Sequence, residues 1–170
     1  MPSASMDFSL PDDSGTEALG AALARSFPSF ASGAVVYLQG ELGSGKTSCA
    51  RSLLRALGVS SPVRSPTYTL VDHYSLPDLE CIHVDLYRLR SAAEVEELGL
   101  RDLTGQRCLM LIEWPERGGA SVPPADLNVT LRYADVGRAA SLLAGTDLGE
   151  TWLANLGHDS SLIPYVSNLT

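Results

Sequence analysis

The sequence predicts an α/β domain, and three observations carry that prediction. Ala34-Val35-Val36-Tyr37-Leu38 is a short apolar, β-branched run that reads as a strand. A glycine-rich stretch follows it, and then Cys49, Leu53, Leu54 and Leu57 recur at helical spacing up to Gly58, a C-cap residue. Cys108-Leu109-Met110-Leu111-Ile112 is apolar without interruption, as expected of a central strand buried on both faces.

The stretch between the first strand and its helix is Gly40-Glu41-Leu42-Gly43-Ser44-Gly45-Lys46-Thr47. It fits G-x-x-x-x-G-K-[ST], the phosphate-binding loop (P-loop) of nucleotide triphosphatases. The chemistry requires these residue types. A triphosphate concentrates negative charge in a small volume, and glycines let the backbone wrap it and aim N–H groups inward. Gly43, Ser44, Gly45 and the residues through Ser48 form the cradle. Lys46 reaches the β- and γ-phosphates, and the Thr47 hydroxyl ligates Mg²⁺. The helix that follows turns its positive dipole end to the anion.

The remaining elements follow in order. Phe8-Ser9-Leu10-Pro11 reads as a short edge strand and Asp12–Thr16 as a turn with N-cap residues. Leu19, Leu23 and Phe27 share one face of a first helix ending before Pro28. Beyond the break at Ser60-Ser61-Pro62, residues 67–74 and 80–87 read as two strands joined by a turn at Ser75–Leu79. So short a link predicts an antiparallel pair. Alternation in the second strand puts Ile82, Val84 and Leu86 in the core and His83, Asp85 and Tyr87 on a face open to a site. Ala92–Leu98 is a short acidic helix closed by Gly99. Leu127–Tyr133 and Arg138–Leu143 form a hairpin, and Thr151–Leu156 is a terminal helix. The last dozen residues read as a loose tail. Residues 1–157 are thus assigned to one domain and residues 158–170 to a tail.

Two acidic residues stand out. Glu113 ends the apolar central strand, where phosphate-loop enzymes place a group for Mg²⁺, although that group is more often Asp. The plain alternative is a solvated strand-end carboxylate. Asp85, on the polar strand face, could orient a nucleophile or hold Mg²⁺, or it could be a surface residue salt-bridged to Arg88 or Arg90. His73, His83 and His158 match no metal-ligand spacing and read as structural or surface histidines. Trp114 reads by default as core.

Composition narrows the function classes. The chain has 170 residues, 45% of them hydrophobic, enough for one core and little room for a second. No apolar run reaches membrane-spanning length, and Met1–Asp7 lacks the pattern of a secretory signal. Cys49, Cys81 and Cys108 show no paired spacing and read as small buried hydrophobes of a reducing compartment. The formal net charge of −8 disfavours direct capture of RNA by this chain alone and suits docking on a basic protein.

Several motifs, in order, resemble the TsaE (YjeE) family, the small ATPases of bacterial tRNA threonylcarbamoyladenosine synthesis. They are the phosphate loop followed by Leu57-Gly58-Val59, then Ser65-Pro66-Thr67-Tyr68-Thr69-Leu70-Val71. His83-Val84-Asp85-Leu86-Tyr87-Arg88-Leu89, Glu97-Leu98-Gly99-Leu100 and Ile112-Glu113-Trp114-Pro115-Glu116 complete the set. The phosphate loop alone is generic; the other segments at this spacing are specific. The resemblance spans about residues 8–145. It implies a P-loop NTPase three-layer sandwich with a mixed, mainly parallel central sheet. It implies ATP hydrolysis, with Mg²⁺ held by Thr47 and Glu113 and with Asp85 and Lys46 as catalytic residues. Ser65-Pro66-Thr67 would be a nucleotide-sensing switch, with Tyr87 and Trp114 contributing to switch or partner contacts. Asp13, Thr16 and Arg138 would lie near the base. The implied partners are the proteins TsaD and TsaB, with tRNA met only through their complex, no DNA and no membrane, in the cytoplasm. ATP turnover would reset that complex. Ser44 departs from the Ala common at its position.

Two other functions stay open on the sequence. A small-molecule kinase would need a lid, and residues 88–107 carry Arg88, Arg90, Arg101 and Arg107. A nucleotide-dependent binding switch would need no turnover of its own.

Overall fold

The computed structural model describes residues 3–29, 31–104 and 107–167. Within them seven strands form one sheet: β1 (Ser5–Leu10), β2 (Gly33–Gln39), β3 (Val71–Leu76), β4 (Leu79–Asp85), β5 (Cys108–Glu113), β6 (Leu127–Tyr133) and β7 (Arg138–Ala144). The order across the sheet is β1-β7-β6-β2-β5-β4-β3. Pairings β6–β2, β2–β5 and β5–β4 are parallel, whereas β1–β7, β7–β6 and β4–β3 are antiparallel. Strands β1, β6, β2, β5 and β4 therefore run one way and β7 and β3 the other, so the sheet is mixed and mainly parallel.

Helices cover both faces, making three layers. On one face lie α1 (Asp13–Ser26), α2 (Lys46–Leu57) and α4 (Asp147–Leu156). Leu19, Leu23, Leu53, Leu54, Trp152 and Leu153 from these helices bury against Val36, Leu38 and Leu131 of the sheet. Helix α1 lies directly on α2 because Gly20 has no side chain. A Cβ there would stand 2.5 Å from the Cys49 carbonyl oxygen. The Trp152 indole N–H donates to the Leu23 carbonyl at 3.0 Å, so the largest core side chain is also satisfied. On the other face Val95 of α3 (Ala92–Glu97), Leu100 and Val122 cover Ile82, Val84, Met110 and Ile112. Every residue of β5 is buried, as its unbroken apolar run predicts for a strand between two layers.

Several boundaries differ from those read in the sequence. Strand β1 begins at Ser5, and helix α1 begins at Asp13 directly after Asp12, which caps it by accepting from the Gly15 N–H. The expected turn there is the helix's first turn. Residues 67–70 are not strand: Leu70 donates its N–H to the Pro66 carbonyl and adopts φ 66°, which closes a turn before β3 starts at Val71. Strand β4 ends at Asp85, so Leu86 and Tyr87 lie beyond it. Helix α4 starts at Asp147 because Thr146 caps it through the Gly149 N–H. The segment after it is not loose. Residues 160–165 form a 3-10 helix that buries Leu162, and Val166 bridges Phe8 at the open edge of β1. Residues 1–2 and 168–170, parts of the two assigned ranges, and residues 105–106 of the lid segment lie outside the described residues.

Candidate functional site

Strands β2, β4 and β5 end at the same edge of the sheet, and the loops that follow them converge there. The phosphate loop turns out of β2 with φ of 142° at Gly40, 78° at Gly43 and 104° at Gly45. Only glycine adopts these values cheaply, and a Cβ on Gly45 would also meet Arg138 at 3.1 Å. Ser44 is buried, and its Oγ has no hydrogen-bond partner among the described residues.

Lys46 opens helix α2 and is 4% exposed. It is the only lysine in the sequence. Its Nζ donates to the carbonyls of Gly40 at 2.6 Å and Glu41 at 2.8 Å, and lies 4.2 Å from the centre of the Trp114 ring. Burial pushes its ammonium below the usual lysine range, and the carboxylates of Glu113, Glu116 and Asp85 pull it partly back. A multiply charged anion would replace those carbonyls as its partner.

Next along the helix, the Thr47 hydroxyl donates to Glu113 at 2.8 Å to Oε1 and 3.1 Å to Oε2. Glu113 is 2% exposed, which overturns the solvated strand-end alternative. Hydroxyl and carboxylate oxygens are the hard donors Mg²⁺ prefers, so this pair fits that ion. No cluster of three or more His, Cys, Asp or Glu suited to a metal occurs among the described residues. Mg²⁺ at a phosphate site needs only one or two protein ligands.

Asp85 is 4% exposed, so the surface ion-pair alternative with Arg88 or Arg90 fails as well. Its Oδ2 accepts from the Ser65 hydroxyl at 2.6 Å and its Oδ1 from the Tyr87 N–H at 2.9 Å. Thr67 in turn donates to the Ser65 oxygen at 3.2 Å. The Ser65-Pro66-Thr67 segment is thereby tied to the end of β4, with Pro66 holding the Leu70 turn. Tyr87 packs on Trp114 with ring centroids 4.9 Å apart. Trp114 adopts φ 59°, packs half-buried against the core around Ile112 and also lines the site beside Lys46, so it is a core-edge residue with one face on the cavity. Arg138 on β7 donates to Asp13 Oδ1 at 2.8 Å and Thr16 Oγ1 at 3.1 Å, which brings the three residues together beside Gly45.

Lys46, Thr47, Ser48, Asp85, Glu113 and Arg138 line one cavity of about 350 Å³, with Ser65, Thr67, Tyr87 and Trp114, whereas Asp13, Thr16, Ser44 and Pro66 do not line it. Arg88, Arg90, Arg101 and Arg107 do not line it. Arg88 lies over the Tyr68 ring at 4.1 Å, and Arg101 bonds the Ala120 carbonyl.

Two contacts lie outside the sequence reading. Of the structural and surface alternatives for His83 the buried one holds, and its Nε2 lies 2.7 Å from Glu113 Oε2. Its signal was the alternation that puts it on the same strand face as Asp85. The Tyr133 hydroxyl donates to the Leu42 carbonyl at 2.7 Å and pins the tip of the phosphate loop, which nothing local to either residue announces.

Comparison with known proteins agrees with this arrangement. The family model described as "Threonylcarbamoyl adenosine biosynthesis protein TsaE" matches residues 10–140. The Haemophilus influenzae tRNA threonylcarbamoyladenosine biosynthesis protein TsaE is 43% identical over 116 residues, covering 68% of this chain and 73% of the relative. The Synechocystis protein of the same description is 40% identical over 117 residues, 66% of this chain and 72% of the relative. A crystal structure of Bacillus subtilis YdiB superposes with a TM-score of 0.77 over 92% of this chain and 97% of that one. At 23% identity, that likeness speaks for the fold alone. With a family match that runs through the phosphate loop, the Ser65–Asp85 link and the Glu113 strand end, the chain belongs to the TsaE family of tRNA threonylcarbamoyladenosine biosynthesis.

Proposed function

We propose that the protein is a P-loop ATPase that hydrolyses ATP with Mg²⁺ and thereby resets the TsaB–TsaD complex between rounds of tRNA N6-threonylcarbamoyladenosine formation. The observation that carries this reading is the Thr47–Glu113 pair at the mouth of the glycine loop, with Asp85 beside it in the same cavity. A phosphoryl transfer site needs little covalent chemistry and much positioning. The amides of Gly43 through Ser48 and the Lys46 ammonium hold the phosphates. Thr47 and Glu113 would hold Mg²⁺, which would supply positive charge against the negative charge developing on the phosphates. Asp85 accepts a hydrogen bond from the attacking water and fixes its direction, and the Ser65 hydroxyl fixes Asp85 in turn. Asp13, Thr16 and Arg138 flank the nucleoside end.

Ser65-Pro66-Thr67, Tyr87 and Trp114 then form the segment that senses the nucleotide and meets the partners. It combines a hydroxyl bonded to Asp85 with a ring packed against Lys46. The net charge of −8 favours docking on protein, with tRNA met only through TsaB and TsaD, in the cytoplasm. No helix of the described residues is long and apolar enough to cross a membrane.

The deciding measurement is the rate of phosphate release from ATP by the chain alone and with TsaB and TsaD. The reading requires hydrolysis that depends on Mg²⁺ and rises in the assembly. Tight nucleotide binding with no hydrolysis in either setting would make the protein a binding switch. Transfer of phosphate to an added small-molecule acceptor would make it a kinase.

A further inference from the structure

We infer that His83 is the positioning residue for Glu113, holding its carboxylate in the orientation in which it meets Thr47 and a divalent cation. This rests on the metal role proposed above for Thr47 and Glu113.

The geometry is specific. Strands β4 and β5 are parallel with His83 opposite Leu111 and Asp85 opposite Glu113, so His83 sits one strand over and two residues before the strand end. From there its ring reaches forward to Glu113 Oε2 at 2.7 Å, while Thr47 bonds the same carboxylate from the helix side. Toward an ionised carboxylate, which only accepts, the His83 Nε2–H is the donor. The other ring nitrogen, Nδ1, has no partner among the described residues. His83 is fully buried, and Nε2 is its one hydrogen-bonded ring atom among the described residues. Its one bond goes to the carboxylate proposed to hold the cation.

The bond answers a problem that glutamate creates. Its side chain has one more rotatable bond than the aspartate usual at this strand end, so an unrestrained carboxylate samples more orientations. Hydrogen bonds from Thr47 to both oxygens and from His83 to Oε2 restrict that freedom. Residues that orient metal ligands from outside the coordination shell typically control metal affinity ten- to a hundredfold.

The test measures ATP binding in EDTA and at saturating Mg²⁺, and takes the ratio of the two dissociation constants. It is made on the wild-type protein and on His83→Leu, His83→Gln and Glu113→Gln, each first shown to be folded by its thermal transition. Gln places an amide N–H near the position of Nε2, whereas Leu fills the space without a donor. The expected result is a ratio about tenfold lower for His83→Leu and lower for Glu113→Gln. His83→Gln stays within about threefold of wild type, and binding in EDTA is unchanged in all. A reduced ratio for Glu113→Gln with a wild-type ratio for His83→Leu would overturn the positioning role alone. So would an equal loss in His83→Gln and His83→Leu, which would trace the effect to packing. An unchanged ratio for Glu113→Gln would overturn the metal reading and this inference with it.

Discussion

Asp85 and Glu113 are register partners on adjacent parallel strands, so two buried carboxylates end side by side at the floor of the cavity. Each has its own donors: Ser65 and the Tyr87 N–H for Asp85, Thr47 and His83 for Glu113. The division of partners separates their duties. Asp85→Asn keeps the shape and removes an acceptor for water. It is expected to bind ATP within a few-fold of wild type and to hydrolyse it at least about a hundredfold more slowly. Wild-type hydrolysis by the folded variant in the full assembly would remove Asp85 from the reaction.

Lys46→Ala and Thr47→Ala test the phosphate loop itself. Neither side chain fills a core, and Lys46 bonds only carbonyls of its own loop. Both variants should keep a thermal transition within a few degrees of wild type while phosphate release falls to background. Persisting hydrolysis in folded Lys46→Ala protein would defeat the assignment.

Ser65→Ala isolates the link between the 65–67 segment and Asp85. Among the described residues the Ser65 hydroxyl is the only side-chain donor to Asp85, at 2.6 Å. Turnover should drop about tenfold, consistent with one hydrogen bond to a charged group. The same change made in an Asp85→Asn background should cost little more, because the two act as one unit. Additive losses in the double variant would show that Ser65 works through something other than Asp85.

Alkali should destabilise the fold through its thiols. Burial pushes Cys49 and Cys81 up to about 12 and Cys108 to about 11 from an ordinary 9.0, with the Glu113 charge adding to the effect at Cys49. Folding therefore favours the protonated thiol. Its contribution is fully present below about pH 9, where both states hold the proton, and is lost as pH climbs toward the folded values. Each thiol removes up to about 1.4 kcal/mol per pH unit in that window. Lys46, shifted down by burial, works in the opposite sense near the lysine range, but it is one group against three. The urea midpoint should be level between pH 7 and 8.5 and fall by pH 10.5. A midpoint that holds at pH 10.5 would contradict the burial of these thiols.

The elements that carried the site were legible because each advertises itself locally. The glycine spacing of residues 40–47, the helical leucines after it and the unbroken apolar run of β5 depend on neighbours in sequence. What sequence could not supply was pairing across distance. His83 meets Glu113 only because β4 lies beside β5, and Arg138 meets Asp13 only because the last strand pairs with the first. For Arg138 the family resemblance pointed to the nucleoside end, whereas for His83 strand alternation and its place at the head of the motif through Asp85 hinted at the site without naming a partner. The misplaced start of β3 has a different cause. Thr67, Tyr68 and Thr69 have strand-forming side chains, but the Leu70–Pro66 hydrogen bond closes a turn that propensity does not see. Likewise the last segment lacks periodicity, yet it covers the exposed edge of β1, a tertiary need invisible in its own residues.

That the chain holds a single lysine, set in the first turn of α2, makes proteolysis a direct readout of the site. A lysine-specific protease has one bond to cut, Lys46–Thr47, and would divide the 170 residues into pieces of 46 and 124. Such enzymes need several residues in extended conformation, so cleavage must wait until the glycine loop and the first turn of the helix unwind together. Any ligand that cradles there closes the bond off, and its occupancy can be read from the survival of the intact band. Unfolding elsewhere in the chain, provided the loop stays closed, leaves no trace on that gel.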